Sequence, residues 1–379
     1  MRLVDSKARL GPDRRGGPSM VPAYHIRATL LPDGDQQRDF WIHDRRITFD
    51  PVDGAEDLAP IGGFVLPGLV DCHVHLTLDF AESGLPAGSA ELVEANLRGH
   101  LTTGTFVVRD MGAVSDATQR LSDECRPRVH YAGRLLAPPN RYFGIQRNTP
   151  SDELVDVATR EAKSGAHWVK IIADFDESGD LLQGTPNYPH EILAAAVKAA
   201  QSAGARVAVH AVSAAGIQAA LNAGVDSVEH GTGISERQLE QMAARQTAWT
   251  PTLVIAPGAA AMSSEMGGKR AADAVLAGFE NARQMLPVAA RLGVPILAGT
   301  DMYPPGSVWR EVAALKASGL EPALALAAAS TTARAFLGEP ALEESALADL
   351  VLYERDPRND PEFLKRPSLV MFRGDRVVV

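Results

Sequence analysis

The sequence predicts an α/β protein, a (β/α)8 TIM barrel with a small β-sandwich domain formed from both termini. Strand-like runs alternate with alanine-rich helical segments between residues 66 and 339, which is typical of βαβ units and a parallel sheet. Further strand-like runs are confined to the two ends of the chain and predict the second domain. A doubly wound open sheet has the same alternation, so this pattern alone leaves both arrangements open.

Each predicted barrel strand is a short, mainly apolar run. The runs are residues 69–75, 105–110, 128–135, 167–173, 206–210, 227–230, 247–253 and 295–301. Helical segments such as SAELVEANLRGHLTTG and PHEILAAAVKAAQSAG follow most of them, and several end at glycine, a common helix stop. Eight strands with crossover helices over about 260 residues match the usual size of a (β/α)8 barrel.

The chain ends contain short strands rather than βα units. AYHIRATLL, RDFWIHD and RRITFD lie in residues 20–65, while ADLVLYE, SLVMFR and DRVVV lie in residues 340–379, with a hairpin signal at Gly374-Asp375. In a closed barrel the first strand neighbours the last, so both ends would emerge close together and share one β-sandwich. Residues 1–19 contain five basic and two acidic residues and no apolar core of a signal peptide, so we expect a disordered tail there. This tail is interpreted either as a misassigned start of the chain or as a functional basic arm.

Composition narrows the class of function. The 379 residues are 45% hydrophobic and 22% charged, and 37 Lys and Arg against 47 Asp and Glu give a net charge of −10. This charge disfavours nucleic acid and anionic membranes as partners. The sequence has no apolar run of about 18 residues, no phosphate-binding glycine loop and no Gly-x-Ser-x-Gly elbow. We therefore expect a cytoplasmic protein that acts on a small molecule without ATP, NAD or a serine nucleophile.

Ionisable residues recur at the carboxyl ends of the predicted strands, where barrel active sites lie. His73 and His75 share one face of the first strand because side chains alternate along a strand. The fourth, fifth, sixth and eighth strands carry Lys170, His210, His230 and Asp301. A lone histidine is more often a hydrogen-bonded core residue, and a lone lysine usually extends its amine to water. The occurrence of all six of these residues at the same ends of five predicted strands predicts a metal site.

Several segments together resemble the amidohydrolase superfamily. They are GGFVLPGLVDCHVHL, TTGTFVVRDMG, VKIIA, VAVHAVSAAGIQAALNAGVDSVEHGTGI, LAGTD and ALADLVLYERDP, in the family's order. The subgroup that the chain is most similar to is the imidazolonepropionase-related hydrolases, which include prolidase-like and Xaa-Arg carboxypeptidase-like enzymes. Related enzymes often have a Gly-His pair near the APPNRYFG loop, and this chain lacks it.

The resemblance implies a centre of two divalent metal ions, with zinc as the usual metal and Mn²⁺ or Co²⁺ as substitutes. His73, His75 and Asp301 would hold the more buried ion, and His210 and His230 the more exposed one. Lys170, carboxylated by carbon dioxide, would bridge the two ions. Carbamate formation needs a neutral amine, and the apolar neighbours of Lys170 favour a lowered pKa.

The same resemblance implies a mechanism. A hydroxide between the ions would attack the scissile carbonyl, and Asp301 would carry its proton to the leaving amine. Asp301 and His230 are thus the predicted catalytic residues. Arg141, Tyr142 and Arg147, after the third strand, are candidates to clamp a substrate carboxylate. Asp110 is a candidate either to orient a ligand histidine or to pair with Arg109.

The leading hypothesis is a hydrolase of a carbon–nitrogen amide bond in a small molecule, such as a dipeptide or an N-acyl amino acid. The second is a mononuclear cyclic-amide hydrolase or deaminase, although deaminases of this superfamily commonly have His-x-x-Glu where this chain has His210-Ala211-Val212-Ser213. Ester, lactone or organophosphate hydrolysis stays open. A non-catalytic homologue would typically lack metal ligands, and all six are present here. The resemblance also implies that a homo-oligomer can form.

Overall fold

The computed structural model describes residues 22–58, 63–121, 126–176, 178–180 and 183–377, and these residues form a mixed α/β fold. The tail predicted at residues 1–19 lies outside the described residues.

Residues from both termini form one eight-stranded sheet. Its strands are β1 (Tyr24–Leu30), β2 (Gln37–His43), β3 (Arg46–Thr48), β4 (Glu56–Asp57), β5 (Gly63–Pro67), β17 (Leu350–Tyr353), β18 (Leu369–Phe372) and β19 (Asp375–Val377). Their order is β19-β18-β17-β5-β1-β2-β3, with β4 beside β1, so the ends meet where β5 pairs antiparallel with β17. The two ends come together as expected, but they do so in a single sheet, and the sandwich is not confirmed.

The C-terminal hairpin turns one residue earlier than the sequence predicts. Phe372 pairs with Asp375, which leaves Arg373 and Gly374 as the two-residue loop. Their φ angles are 51° and 79°. Tight hairpins of this kind require positive φ at both loop positions, which glycine adopts without strain.

The remaining strands lie in two parallel sheets and one short antiparallel pair. The three-stranded sheet contains β6 (Leu69–Val74), β7 (Thr105–Asp110) and β8 (Arg128–Tyr131). The six-stranded sheet contains β9 (Leu135–Ala137), β10 (Arg147–Asn148), β11 (Trp168–Ile172), β14 (Arg206–Ala211), β15 (Ser227–His230) and β16 (Ala248–Thr250), and β12 (Asp174–Phe175) pairs with β13 (Thr185–Pro186). Seven predicted runs therefore contain a strand.

Isolated bridges, rather than continuous strands, connect the two parallel sheets. Ala113 bridges Arg134 on one side, while Ile296 bridges Trp249 and Asp301 bridges Val74 on the other. The described strands therefore do not form one continuous closed barrel. The run at 128–135 divides into β8 and β9 because Gly133, at φ 65°, turns the chain between them.

The run at 295–301, predicted as the eighth strand, makes only these isolated bridges. Asp301 has φ 51°, which lies outside the extended region that a strand requires. Gly299 brings the backbone so close to β6 that a Cβ atom there would lie 2.6 Å from His73 Cβ. The segment therefore lies against the first strand without continuing as one.

The helices connect the strands and cover the parallel sheets. They are α1 (Ala90–Thr102), α2 (Leu154–Lys163), α3 (His190–Ser202), α4 (Ala214–Ala223), α5 (Glu236–Arg245), α6 (Ala256–Leu292), α7 (Val308–Ala317), α8 (Pro322–Ala327) and α9 (Thr331–Leu337). α6 is kinked at Gly268, where φ is 69°. Although α6 is 37 residues long, neither it nor any other described helix is apolar enough over a sufficient length to cross a bilayer.

Candidate metal centre

Three of the predicted ligands form a compact buried cluster. His73 and His75 leave β6 on the same face, and Asp301 lies beside them because it bridges Val74. One ligand atom of each residue lies within 4.8 Å of the others. Asp301 Oδ1 is 3.1 Å from His75 Nε2 and 3.9 Å from His73 Nε2. Two imidazoles and a carboxylate are a donor set that suits Zn²⁺.

The other three predicted ligands extend this cluster across β11, β14 and β15. The ring centroid of His230 lies 5.1 Å from that of His73 and 4.6 Å from that of His210. Lys170 lies in β11, where its charge helps to lower the pKa of all three of these histidines. All six side chains are buried. The fold therefore brings the whole predicted set to one place.

Unsatisfied polar atoms mark the same place. Lys170 Nζ and both ring nitrogens of His210 are buried and have no hydrogen-bond partner among the described residues. Buried polar atoms are almost always paired, so such a concentration indicates a ligand site. Burial also lowers the pKa of Lys170 to about 8, which leaves part of the amine neutral near pH 7. These residues fit two divalent ions and a carboxylated lysine.

Hydrogen bonds orient three of the histidines. In each of them Nδ1 lies 2.8 Å from an oxygen atom. The partner of His73 is Glu229 Oε2, that of His75 is the Gly112 carbonyl oxygen, and that of His230 is Thr252 Oγ1. A partner on one ring nitrogen fixes the ring and leaves the other nitrogen for a metal ion. Nε2 is therefore the ligating nitrogen expected in all three.

The electrostatics favour the protonation states that bind cations. Burial lowers the pKa of His73 to about 4 and of His230 to about 3, and it lowers the pKa of His210 well below the usual value. Imidazole binds metals in its neutral form. Burial alone would raise the pKa of Asp301, but His73 and the hydrogen bond from His75 hold it well below the usual range. These three histidines therefore offer neutral nitrogens beside a carboxylate at neutral pH. In His75 burial also acts to lower the pKa, but the hydrogen bond to Asp301 and the charge of that carboxylate outweigh it and raise the pKa.

Two of these residues have an unusual backbone conformation. His230 and Asp301 have φ angles of 67° and 51°, and Thr252, which contacts His230, has a φ of 49°. Positive φ is costly for residues with a Cβ and is concentrated at functional sites. At each of these three positions the backbone leaves the extended conformation, and the positions lie where the candidate ligands cluster.

Sequence reasoning missed Glu229, which is completely buried behind His73. Besides accepting the hydrogen bond from His73, its carboxylate pairs with Arg109, whose Nη2 is 2.8 Å from Oε1. Arg109 also donates to Thr250 Oγ1 at 2.9 Å and to the Cys72 carbonyl oxygen at 2.7 Å. This network joins four strands beneath the ligands. Its signal in the sequence is a charged residue inside each of two apolar strands, TFVVRD and SVEH.

Asp110 takes neither of its two predicted roles. It accepts hydrogen bonds from Thr118 Oγ1 at 2.9 Å and from the Leu76 N–H at 3.4 Å. Arg109 pairs with Glu229 instead, because consecutive side chains of β7 point to opposite faces. Asp110 therefore fixes the chain that follows the two ligand histidines of β6.

Replacing Glu229 with glutamine is expected to weaken zinc binding about 10–100-fold, because outer hydrogen-bond partners of ligand histidines contribute that much. Glutamine keeps the shape but removes the negative charge opposite His73 and Arg109. Competition with a chelator of known zinc affinity would measure the change. Glu236→Gln is the matched control, since Glu236 is exposed and contacts only Arg291 in a described ion pair. Equal zinc affinity in Glu229→Gln and wild type would contradict this role.

A cavity of about 280 Å³ opens beside the cluster. His75, His210, His230 and Asp301 form its floor, and Tyr142 lies along its wall. The Tyr142 ring packs edge-on against His210, with the centroids 5.2 Å apart.

Arg141 and Arg147, the other two candidates for substrate binding, are not among the residues that line the cavity. Arg141 donates to Asn187 Oδ1 at 2.8 Å and to Thr185 Oγ1 at 3.0 Å, while Arg147 pairs with Glu161 at 2.9 Å. Both guanidinium groups are therefore held by protein partners outside the cavity wall.

Comparison with known proteins gives consistent matches over almost the whole chain. The model of the amidohydrolase family matches residues 64–377. An uncharacterized protein of Mycobacterium tuberculosis is 36% identical over 368 residues, which cover 92% of this chain and 94% of that protein. A Mycobacterium bovis protein matches to the same extent.

Solved structures match the fold over nearly their full length. A protein from Bifidobacterium longum described as a candidate prolidase has a TM-score of 0.80 and 25% identity, covering 95% of this chain and 96% of that chain. A Xaa-Pro dipeptidase with methionine bound in its active site has a TM-score of 0.79 and 24% identity, covering 94% of this chain and 100% of that chain. At 24% identity, the similarity to the Xaa-Pro dipeptidase shows a shared fold only.

Proposed function

Because this chain belongs to the amidohydrolase family, we propose that it is a metal-dependent hydrolase that cleaves an amide C–N bond of a small molecule. One observation carries the proposal: six buried side chains with metal-binding chemistry cluster together, and four of them form the floor of one cavity. Among them, the Lys170 amine and the His210 ring nitrogens have no hydrogen-bond partner in the part of the chain that the structure describes.

Two divalent ions, with zinc as the expected metal, fit this donor set. In the proposal His73, His75 and Asp301 hold one ion, His210 and His230 hold the other, and carboxylated Lys170 joins them. When bound, such ions polarise a carbonyl group and lower the pKa of water to about 7. The unpaired Lys170 amine favours this arrangement over a single-ion site, in which nothing would satisfy that buried atom.

The proposed role of Asp301 is to move a proton. Its carboxylate lines the cavity and stays ionised at neutral pH, since its pKa lies well below the usual range. Because this ionised carboxylate faces the cavity, its proposed role is to accept a proton from the attacking water and donate it to the leaving amine nitrogen. The Asp301 backbone N–H donates to the His73 carbonyl oxygen at 2.6 Å, which holds the residue in place beside the histidines.

His230 and Tyr142 complete the proposed reacting region. His230 is held by Thr252 at the strand end and lines the cavity, so its ring would bind the second ion and would also be available to the substrate carbonyl. The Tyr142 hydroxyl makes no described hydrogen bond, and its ring lines the cavity beside His210. That hydroxyl is therefore available to donate to a substrate oxygen.

Amine release from a panel of small amides tests this function directly. Zinc-loaded protein should release amine from at least one amide, chelator-treated protein should not, and added zinc should restore the activity. The panel should include dipeptides, N-acyl amino acids, anilides, cyclic amides and esters. Hydrolysis that is unchanged after complete metal removal would contradict a metal-dependent mechanism.

Bicarbonate should assist reconstitution of the metal-free protein. Carbon dioxide reacts with the neutral Lys170 amine, so zinc added with bicarbonate should restore several-fold more activity than zinc added in carbon-dioxide-depleted buffer. Lys170→Met serves as the control because it has no amine to carboxylate, and it should show no response to bicarbonate. Equal recovery of the wild type in both buffers would argue against a carbamate.

A further inference from the structure

The cavity beside the metal ligands has almost no polar groups beyond its floor. Apart from Asp301 and the ligand histidines, none of the described residues that line it carries a charge. Its walls are made chiefly by Phe80, Phe143, Ile255, Met262, Val275 and Phe279. The hydroxyl of Thr232 is already used, because it donates to the Val212 carbonyl oxygen at 3.2 Å. The Tyr142 hydroxyl therefore remains the main polar group above the floor.

The apolar wall is held in place by the fold. Val275 and Phe279 follow the α6 kink, and Met262 precedes it, so both arms of that helix face the cavity. Asn281 Nδ2 anchors the second arm by donating to the carbonyl oxygens of Thr232 and Ile234, both at 2.9 Å.

Aromatic packing holds the opposite side. The ring of Phe143 contacts those of Tyr142 and Phe175 edge-on, with centroids 4.9 Å and 5.2 Å apart. Rings packed in this way lose little side-chain freedom when a ligand binds. This side of the cavity is therefore preorganised for an apolar group.

A free carboxylate on the substrate would find no cationic partner in these walls. The metal floor is needed for the scissile amide, so a second anionic group would lie against apolar side chains. Arg141 and Arg147, the two arginines expected from the sequence to bind substrate, are bonded to Asn187, Thr185 and Glu161 away from the lining. The internal stretches that the structure does not describe, residues 59–62, 122–125, 177 and 181–182, include no lysine, arginine or histidine. Burying an unpaired carboxylate is strongly unfavourable.

We therefore infer that the substrate is a neutral, apolar amide with an aromatic or branched aliphatic group, and that it lacks a free carboxylate. This inference rests on the proposed amide hydrolysis and narrows it, because dipeptides and N-acyl amino acids, the classes expected from the sequence, both carry a carboxylate. The cavity of about 280 Å³ is near the lower limit of drug-sized pockets, so the substrate is a small one.

Three matched compounds test the inference on the full, zinc-loaded chain. N-Benzoyl-leucine carries a carboxylate, N-(3-methylbutyl)benzamide is the same molecule without it, and N-benzoyl-leucinamide is a neutral compound of matched size. Benzoate release measures hydrolysis of the shared amide, and calorimetry measures binding independently of turnover. We expect kcat/KM for the neutral compounds to exceed that for N-benzoyl-leucine by at least about 100-fold, and we expect them to bind more tightly.

The two measurements separate this inference from the proposed function. Turnover of N-benzoyl-leucine that equals or exceeds that of the neutral compounds would overturn the inference and leave amide hydrolysis standing. Tighter binding of the neutral compounds without any hydrolysis would support the inference and count against the proposed activity. Neither hydrolysis nor preferential binding would overturn both.

A variant tests the wall itself. Met262→Arg places a cation in the cavity wall and should lower the preference for neutral over carboxylated compound at least about ten-fold, because a buried ion pair favours the carboxylate. Met266→Arg is the control, since Met266 lies on the same arm of α6, is 38% exposed and does not line the cavity. An unchanged preference in folded Met262→Arg protein would contradict the assignment of this wall to the substrate.

Discussion

Lys170→Ala is expected to lose hydrolytic activity by about 10³-fold or more and to hold fewer metal ions than wild type. The native amine is buried, its charge acts on His73, His210 and His230, and it has no hydrogen-bond partner among the described residues, so in the proposed function it contributes to the ions rather than to the packing of the fold. Without the proposed carbamate, the second ion would retain only two histidine ligands. Metal analysis and kcat/KM on the same preparation measure both effects.

Lys170→Met separates a chemical role from a packing role. Methionine fills the volume of the lysine stem, so this variant should be as inactive as Lys170→Ala while keeping wild-type circular dichroism. Acetate should partly restore metal content and activity in Lys170→Ala, because the space left by the side chain admits a small carboxylate. Acetate should have no effect on Lys170→Met. Wild-type metal content and turnover in both variants would remove Lys170 from the centre.

Asp301→Asn is expected to lower kcat by about 10²–10⁴-fold, the range usually contributed by a positioned acid–base group. Asparagine has the same shape and keeps one oxygen near His75, but it cannot accept a proton from water at neutral pH. The substrate, held by the cavity walls, should bind with an affinity close to that of wild type. Steady-state kinetics with the best amide of the panel measures the split between kcat and KM.

Metal content decides how the loss in Asp301→Asn is interpreted. A variant that retains its ions and loses kcat supports proton transfer, whereas a variant that loses its ions shows that the carboxylate acts first as a ligand. Asp273→Asn is the matched control, since Asp273 is an exposed carboxylate on α6 that pairs with Lys269. Wild-type kcat in folded Asp301→Asn would contradict both roles.

The clustering of the candidate metal ligands could be predicted because strand alternation determines which side chains share a face. That rule alone was enough to predict that His73 and His75 lie together. The positions of Lys170, His210 and His230 could be predicted from where each strand ends. The observed strands β11, β14 and β15 place all three where the sequence does. Asp301 also lies beside the first strand, although its segment forms bridges instead of a strand.

Other features depend on contacts between distant parts of the chain, which the local sequence does not specify. The Arg141 side chain donates to Asn187, which is 46 residues away in the sequence. Its place in the loop after the third predicted strand therefore did not show that it points away from the cavity. Glu229 has a role only because Arg109 and His73, from two other strands, converge on it. The apolar cavity wall is formed by both arms of α6. The Gly267-Gly268 pair at its kink indicates a break in the helix but not that both arms would face one cavity.

The metal content of purified, unchelated protein shows whether the six clustered side chains hold divalent ions. We predict about two equivalents of a divalent ion per chain by plasma mass spectrometry, since the site offers donors for two ions and a lysine to join them. His73→Asn and His210→Asn should each reduce this number. Protein that contains no divalent metal and takes up none from added zinc would contradict the proposed metal centre. A stable single equivalent would contradict the bridging role of Lys170.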